Sequence, residues 1–144
     1  MLMPRTPTHR TDSERLMSSL GLRAPARGEV RPLHEVPDEV FAGGHLGPGL
    51  AVEPEDGLFI APISGTVQIP RGMHHAFYLD GDDGRQVLVQ IGVGAHALRG
   101  LGFTRMVHDG QRVQAGEPLC QVDLECLRIA SLPTISAVVL TREP

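Results

Sequence analysis

The feature that most constrains the fold is a series of short apolar runs separated by turns rich in Gly, Pro and Asp. Runs of this length at short intervals are typical of the strands of an all-β sandwich or barrel. The pattern begins at Gly28 and continues to Thr141. We therefore predict one β domain over residues 28–144. The predicted strands are Glu29–Leu33, Leu50–Glu53, Leu58–Ala61, Thr66–Ile69, Ala76–Leu79, Arg85–Ile91, Arg112–Val113, Leu119–Val122 and Ala137–Thr141.

Turn and capping residues complete this prediction. Asp80–Gly84 predicts a hairpin, because its glycines supply the positive φ that such turns need. Asp123 is the predicted N-cap of a single helix that ends at Ala130. The glycine-flanked turn of Gln111-Arg112-Val113 is typical of sandwiched hybrid barrels. The predicted fold class is all-β, a sandwiched hybrid β-barrel or β-sandwich with one short helix.

Residues 1–27 have a different composition, with several prolines among scattered Arg, Thr and Ser and little to bury. We predict a flexible N-terminal tail over residues 1–27. Within it, Thr11–Glu14 matches a helix-capping pattern. Membrane contact by this tail is not expected, because its charges are mixed, whereas basic residues dominate a membrane-binding face.

The cationic side chains restrict the possible chemistry. All 13 of them are Arg, in a chain of 144 residues with a net charge of -4. The absence of Lys excludes a P-loop, a Schiff-base enzyme and a lipoyl or biotinyl carrier, although a GC-rich genome also explains it. The mildly acidic balance argues against nucleic-acid binding, which needs a concentrated basic face. Cys120 and Cys126 are too few for a disulfide framework, and no secretory signal is evident, so we expect free thiols and a cytoplasmic protein.

A succession of motifs between Gly28 and Thr141 resembles one family. The chain resembles the glucose-type enzyme IIA of the bacterial phosphoenolpyruvate-dependent sugar phosphotransferase system. The motifs that carry the resemblance are, in order, Val36-Pro37-Asp38-Glu39-Val40-Phe41-Ala42, Gly47-Pro48-Gly49-Leu50-Ala51-Val52-Glu53-Pro54, Ala61-Pro62-Ile63-Ser64-Gly65-Thr66-Val67, His75-Ala76-Phe77, Gly92, Leu98-Arg99-Gly100-Leu101-Gly102-Phe103 and Gly110-Gln111-Arg112-Val113.

The resemblance implies a β-sandwich phosphocarrier. One histidine accepts a phosphoryl group from the small carrier HPr and passes it to the IIB domain of a permease, while a second histidine orients the phosphorylated ring. His75 matches the second histidine. The acceptor position is occupied by Gln90. An amide nitrogen has a delocalised lone pair, so Gln90 cannot form a useful phosphoramidate.

Other positions also depart from the family pattern. Gly94 replaces a carboxylate, Met73 replaces Thr, and Arg71 and Leu88 replace rim phenylalanines; Glu39 stands at an apolar rim position. Together they predict a relative that binds proteins and regulates sugar uptake without carrying phosphate. An introduced substitution at Gln90 is the alternative explanation.

The resemblance also implies a partner-binding surface, which we assign to Phe41, Leu46, Leu88 and Gly94. The alternative is that Phe41 and Ile91 are ordinary residues of the hydrophobic core. The implied partners are HPr, a IIB-like domain and other regulatory protein targets. The departures from the family pattern put the binding of HPr and of the IIB-like domain in question. We expect a monomer.

Two other functions were considered. An active phosphocarrier could use His75 or His96 as a displaced acceptor. Adjacent strand residues face opposite ways, so only one of His74 and His75 should face the site, and the resemblance selects His75. A zinc peptidase needs a His-x-His motif, which the chain lacks, so we expect neither a metal nor a cofactor.

Overall fold

The structure, a computed structural model, describes residues 17–144. The predicted capping pattern at residues 11–14 lies outside the described residues. The described chain forms two antiparallel sheets that pack face to face around a common apolar core.

The larger sheet has seven strands and contains the candidate site. Its spatial order is β1 (Gly28–Pro32), β2 (Gly49–Pro54), β10 (Ser136–Arg142), β6 (Gln86–Gln90), β5 (Ala76–Gly81), β4 (Gly65–Gln68) and β8 (Arg112–Val113). No pairing joins the edge strands β1 and β8. The fold is therefore a β-sandwich, and the sheets are not closed into a barrel.

The smaller sheet has three strands, in the order β3 (Leu58–Ile60), β9 (Pro118–Val122) and β7 (Phe103–Arg105). Its buried residues meet the inner face of the larger sheet in one cluster, which includes Phe59, Leu119 and Phe77. The strand β7 was not predicted, because Thr104 and Arg105 are exposed and give no apolar run. All nine predicted strands are present.

The central strands of the larger sheet are buried on both faces. Val87 and Val89 of β6 point into the sandwich core, whereas Leu88 between them belongs to a second apolar cluster on the outer face. A strand covered on both sides reads as a continuous apolar run, because no position alternates to solvent. This explains the unbroken apolar runs in β6 and β10.

Two short α-helices and two 3-10 helices occur among residues 28–144. The helix α1 (Glu39–Ala42) begins at Asp38, whose side chain accepts a hydrogen bond from the Val40 amide at 2.9 Å. The helix α2 (Leu124–Ile129) begins at Asp123, as predicted. The helix α1 was not predicted, because it is too short to show a helical period. The 3-10 helices are Leu33–Glu35 and Ala95–Leu98.

The boundary predicted at residue 27 also requires correction. Met17, Leu22 and Ala26 are buried in the sandwich core at 6, 7 and 5 % exposure. The Arg23 amide donates to the Pro62 carbonyl, and Arg85 donates to the carbonyl of Leu20. Residues 17–27 therefore pack on the domain. Nothing local in the sequence shows that the apolar side chains of this segment pack on the sandwich.

Among residues 17–144, no helix is both long and apolar enough to cross a lipid bilayer. Cys120 and Cys126 are both free thiols, as predicted.

The start of β3 provides a test of the sandwich. A Cβ at Gly57 would overlap the carbonyl oxygen of Val122, whereas a Cβ at Gly72 would meet open space. Gly57→Ala should lower the free energy of unfolding by ~3 kcal/mol or more, because two backbones must separate. Gly72→Ala should cost about 1 kcal/mol from its positive φ alone. Denaturant unfolding of both variants checks this, and equal losses would contradict it.

Candidate functional site

Gln90 is the last residue of β6, at the middle of the larger sheet. It pairs with Ala76 of β5 on one side and Ala137 of β10 on the other. Alternation along β6 places Gln90 on the same outer face as Leu88. Both flanking side chains are methyl groups, and the glutamine side chain between them is half-buried.

His75 lies beside this position on the neighbouring segment. Its carbonyl accepts a hydrogen bond from the Ile91 amide at 2.8 Å, so it stands one residue from Gln90 across the sheet. Its side chain is buried, with 7 % exposure. His74 and His75 form a bend that precedes β5. The argument from strand alternation therefore does not apply to this pair.

His96 approaches His75 from the 3-10 helix Ala95–Leu98. The two ring centroids are 6.3 Å apart, with the planes tilted by 49°, and the His96 side chain is exposed. His74 packs against Gly100, where an added Cβ would lie 2.9 Å from its imidazole. The segment from residue 96 to 100 thus contacts both neighbouring histidines. The imidazoles of His74 and His96 therefore converge on that of His75.

The convergence changes the protonation of the buried imidazole. Burial lowers the pKa of His75 below its ordinary value, and the nearby His96 and His74 lower this pKa further. Each effect disfavours a positive charge on the ring. His75 is therefore neutral at neutral pH, with one nitrogen able to donate a hydrogen bond and the other able to accept one.

A buried serine fixes the backbone that follows Gln90. Ser136 is fully buried, and its hydroxyl accepts from the Gly92 amide at 3.0 Å and donates to the Thr134 carbonyl at 2.9 Å. The Val93 amide also donates to the Pro133 carbonyl. Ser136 was missed from the sequence, where it stands at the start of an apolar strand. A lone polar residue in such a run was the available signal.

Gly94 begins the 3-10 helix that carries His96. It has a φ of +77°, and an added Cβ would lie 3.2 Å from the Leu132 side chain. The left-handed backbone and the close contact both favour glycine. Gly94 therefore contributes only its backbone to the predicted partner-binding surface.

The predicted partner-binding surface is only partly exposed. Phe41 and Leu88 are buried at 7 and 2 % exposure, in an apolar cluster on the outer face of the larger sheet. Their assignment to the surface was wrong, because Leu88 is covered within this cluster and Phe41 is turned inward from α1. Leu46 is half-buried against the cluster. The core role considered for Phe41 and Ile91 is confirmed.

Val40 and Met73 are exposed apolar side chains, at 47 and 40 % exposure. Within residues 17–144 no group of three or more His, Cys, Asp or Glu side chains could hold a metal ion.

Nearly all of the described chain matches one family model. The matched family is the phosphoenolpyruvate-dependent sugar phosphotransferase system, EIIA 1, over residues 20–144. The chain belongs to this family. The match confirms the resemblance and begins before residue 28, in agreement with the packing of residues 17–27. The placement of the acceptor at Gln90 stays a prediction for this IIA domain.

Curated relatives of the IIA domain are larger proteins. The PTS system N-acetylglucosamine-specific EIICBA component of Klebsiella pneumoniae is 42 % identical over 118 residues, which are 82 % of this chain and 18 % of the relative. The mannose-specific EIIBCA component of Corynebacterium glutamicum is 41 % identical over 118 residues, 82 % of this chain and 17 % of the relative. The chain spans about a fifth of these relatives.

A solved structure has the same fold. The glucose permease IIA from Mycoplasma capricolum superimposes with a TM-score of 0.80 and 35 % identity, over 85 % of this chain and 79 % of that one. This similarity confirms the mostly β sandwich for the IIA domain.

The histidine cluster predicts a measurable titration. In an NMR titration, the imidazole of His75 should have a pKa below the ordinary value of about 6.5. Because burial is the largest cause of the lowered pKa, His96→Asn should raise the pKa of His75 only part of the way back to the ordinary value. A His75 pKa at or above the ordinary value would contradict the assignment.

The same pKa predicts how stability depends on pH. Below about pH 6.5 the unfolded chain binds a proton at His75, whereas the folded chain does not until the pH reaches the lowered pKa of His75. Between these two values the free energy of unfolding should fall as the pH falls. His75→Gln should remove this part of the pH dependence. Unfolding curves of both proteins at several pH values provide the measurement.

Removal of the Ser136 hydroxyl should weaken the loop after Gln90. Ser136→Ala leaves the Gly92 amide buried without its partner, at a cost of about 1–3 kcal/mol. Ser18→Ala, at an exposed position, is the control and should change stability by less than ~0.5 kcal/mol. Denaturant unfolding and hydrogen exchange at the Gly92 amide check both. Unchanged protection at Gly92 would contradict the assigned role of Ser136.

Proposed function

We propose that this IIA domain acts by binding partner proteins and regulating sugar uptake, without carrying a phosphoryl group. The observation that carries the proposal is the side chain at position 90. Gln90 occupies the outer face between Ala76 and Ala137, where the resemblance expects the phosphoacceptor histidine. The proposed location is the cytoplasm.

The chemistry of an amide supports the loss of phosphotransfer. A phosphoryl acceptor in a carrier must be nucleophilic enough to take the group and a good enough leaving group to release it. The amide nitrogen of Gln90 has its lone pair delocalised into the carbonyl and offers none for attack. The side chain keeps its hydrogen-bonding groups, so it can still contact a partner.

The neighbouring groups support the same conclusion. Gly94 has no side chain, and His75 is buried and neutral. In the family the second histidine steadies a phosphorylated ring, and charge-assisted hydrogen bonds make such contacts strong. With Gln90 in place of the acceptor, His75 has no phosphorylated ring to steady.

Partner contact is the function that these changes leave possible. The relatives' names combine the A component with B and C components in one protein, which supports a IIB-like domain and HPr as partners. Val40 and Met73 are exposed, and half-buried Leu46, Tyr78 and Val93 adjoin the outer cluster. A partly apolar surface of this kind is suited to protein contact.

A second candidate function rests on His96. This residue is exposed and its ring lies 6.3 Å from that of His75. An imidazole accessible to HPr and next to a neutral histidine could serve as a displaced acceptor, as could His75 itself. Phosphoryl transfer depends strongly on alignment, and a displacement of ~1 Å can cost roughly 100-fold. The displaced position of His96 therefore weighs against efficient transfer.

The test compares the chain with a variant that restores the acceptor. Each protein is incubated with enzyme I, HPr and labelled phosphoenolpyruvate, and acid-labile label is measured. The unmodified chain should stay at background. Gln90→His should gain label by at least about 100-fold, because the imidazole is placed in alignment, and Gln90→Asn is the matched control that should not.

The outcomes separate the two candidates. Label on the unmodified chain that His96→Asn abolishes would reject the proposal in favour of a displaced acceptor at His96. Label on the unmodified chain that only His75→Gln abolishes would reject the proposal in favour of a displaced acceptor at His75. An unlabelled but folded Gln90→His variant would show that Gly94 and Met73 also contribute to the loss. Binding of HPr by the unlabelled chain, measured calorimetrically, tests the partner directly.

A further inference from the structure

The outer face of the larger sheet carries a second polar feature, away from Gln90. It is a groove of about 490 Å³ whose lining comes from β4, β5, β6 and two adjoining loops. This volume lies within the range of small-molecule sites. The lining residues are Gln68, Ile69, Pro70, Tyr78, Asp80, Gln86 and Asp109.

The strand register explains how these side chains come together. Gln68 pairs with Tyr78, and Asp80 pairs with Gln86, in successive rows across the sheet. Gln90 belongs to a third row on the same face, four residues along β6 from Gln86, or roughly 13 Å at the usual rise. The groove and the Gln90 position are therefore separate places on one surface.

Two polar groups of the groove are held in fixed orientations. The Gln86 amide nitrogen donates to Asp80 Oδ1 at 2.9 Å, and the Gln86 amide oxygen accepts from the Thr141 hydroxyl at 2.9 Å. Arg142 also donates to Asp80 Oδ1, at 3.4 Å. The bonds from Gln86 and Arg142 orient the Asp80 carboxylate, and both use the same oxygen.

Asp109 is held in a similar way from the opposite loop. Its Oδ1 accepts from the Ile69 amide at 2.8 Å, a contact between positions 40 residues apart. In both carboxylates the second oxygen, Oδ2, has no hydrogen bond to a residue in the described part of the chain. The side chains of Gln68 and Tyr78 likewise have no partner among residues 17–144.

We propose that this groove binds a carbohydrate. It presents two oriented carboxylate oxygens that accept hydrogen bonds, together with an amide and a phenol that both donate and accept. Sugar hydroxyls also donate and accept, so they match this set. Ile69, Pro70 and the ring of Tyr78 add apolar surface for the C–H face of a pyranose.

A cationic ligand matches the groove less well. An ammonium or guanidinium group offers donors alone, and it would leave the N–H groups of Gln68 unmatched. Arg142 already neutralises part of the charge on Asp80 through its 3.4 Å contact. The mixture of donors and acceptors thus favours a neutral polyhydroxylated ligand. The proposal is independent of whether the domain carries phosphate.

An NMR titration of the full chain tests the groove. The probes are glucose, mannose, N-acetylglucosamine and a β-glucoside, with argininamide as the cationic comparison. At least one sugar should shift the backbone amides around Gln68, Tyr78 and Asp109 in a saturable way. We expect a dissociation constant in the millimolar range, because sugar hydroxyls exchange water for protein partners with little net gain.

Matched variants identify the groups that bind. Asp80→Asn and Asp109→Asn should each weaken the affinity about tenfold, because a charge-assisted hydrogen bond is lost. Tyr78→Phe should weaken it less. Asp82→Asn, which removes an exposed ion pair with Arg112 outside the groove, is the control and should leave the affinity unchanged.

Three results would overturn the proposal. One is the absence of saturable shifts with every sugar while the amide spectrum shows a folded chain. A second is saturation by argininamide alone, which would assign the groove to a cationic side chain of a protein partner. Equal weakening by Asp82→Asn and Asp80→Asn would also reject it, since the effect would then not be local to the groove.

Discussion

The pairing of β6 between β5 and β10 is the constraint on which the site depends. It places Gln90 opposite Ala76 and Ala137 and makes β6 a strand buried on both faces. The inner face anchors the sandwich through Val87 and Val89, and the outer face rests on Leu88. Because a one-residue slip would exchange these faces, the packing of the core also fixes where position 90 points.

The site therefore combines a firmly held framework with an uncharged side chain at position 90. The serine that holds the loop, the glycine turns and the buried histidine are all in place. The side chain at the centre of this framework is an amide. The framework is stabilised by backbone pairing and apolar burial, to which the side chain at position 90 contributes little. The residue at position 90 can therefore change without loss of the fold.

Much of the fold was predictable from the sequence, because strands and turns leave local signals. The nine predicted strands and the Asp123 cap depend on neighbouring residues alone. The strand β7 and the helix α1 were missed because they are short and largely exposed. At the site, His75 and Gln90 came from ordered motifs, whereas the contact with His96, the role of Ser136 and the burial of Phe41 depend on residues far apart in the chain.

The packing of residues 17–27 has a consequence for how the domain is delimited. Three buried side chains of this segment, together with the bond from Arg85 to Leu20, join it to the sandwich and to the turn after β5. A fragment cut at Gly28 would leave an apolar gap on the core and remove a partner from Arg85. The smallest autonomous folding unit therefore includes residues 17–27, whose packing joins the β5–β6 turn to the sandwich core through Arg85.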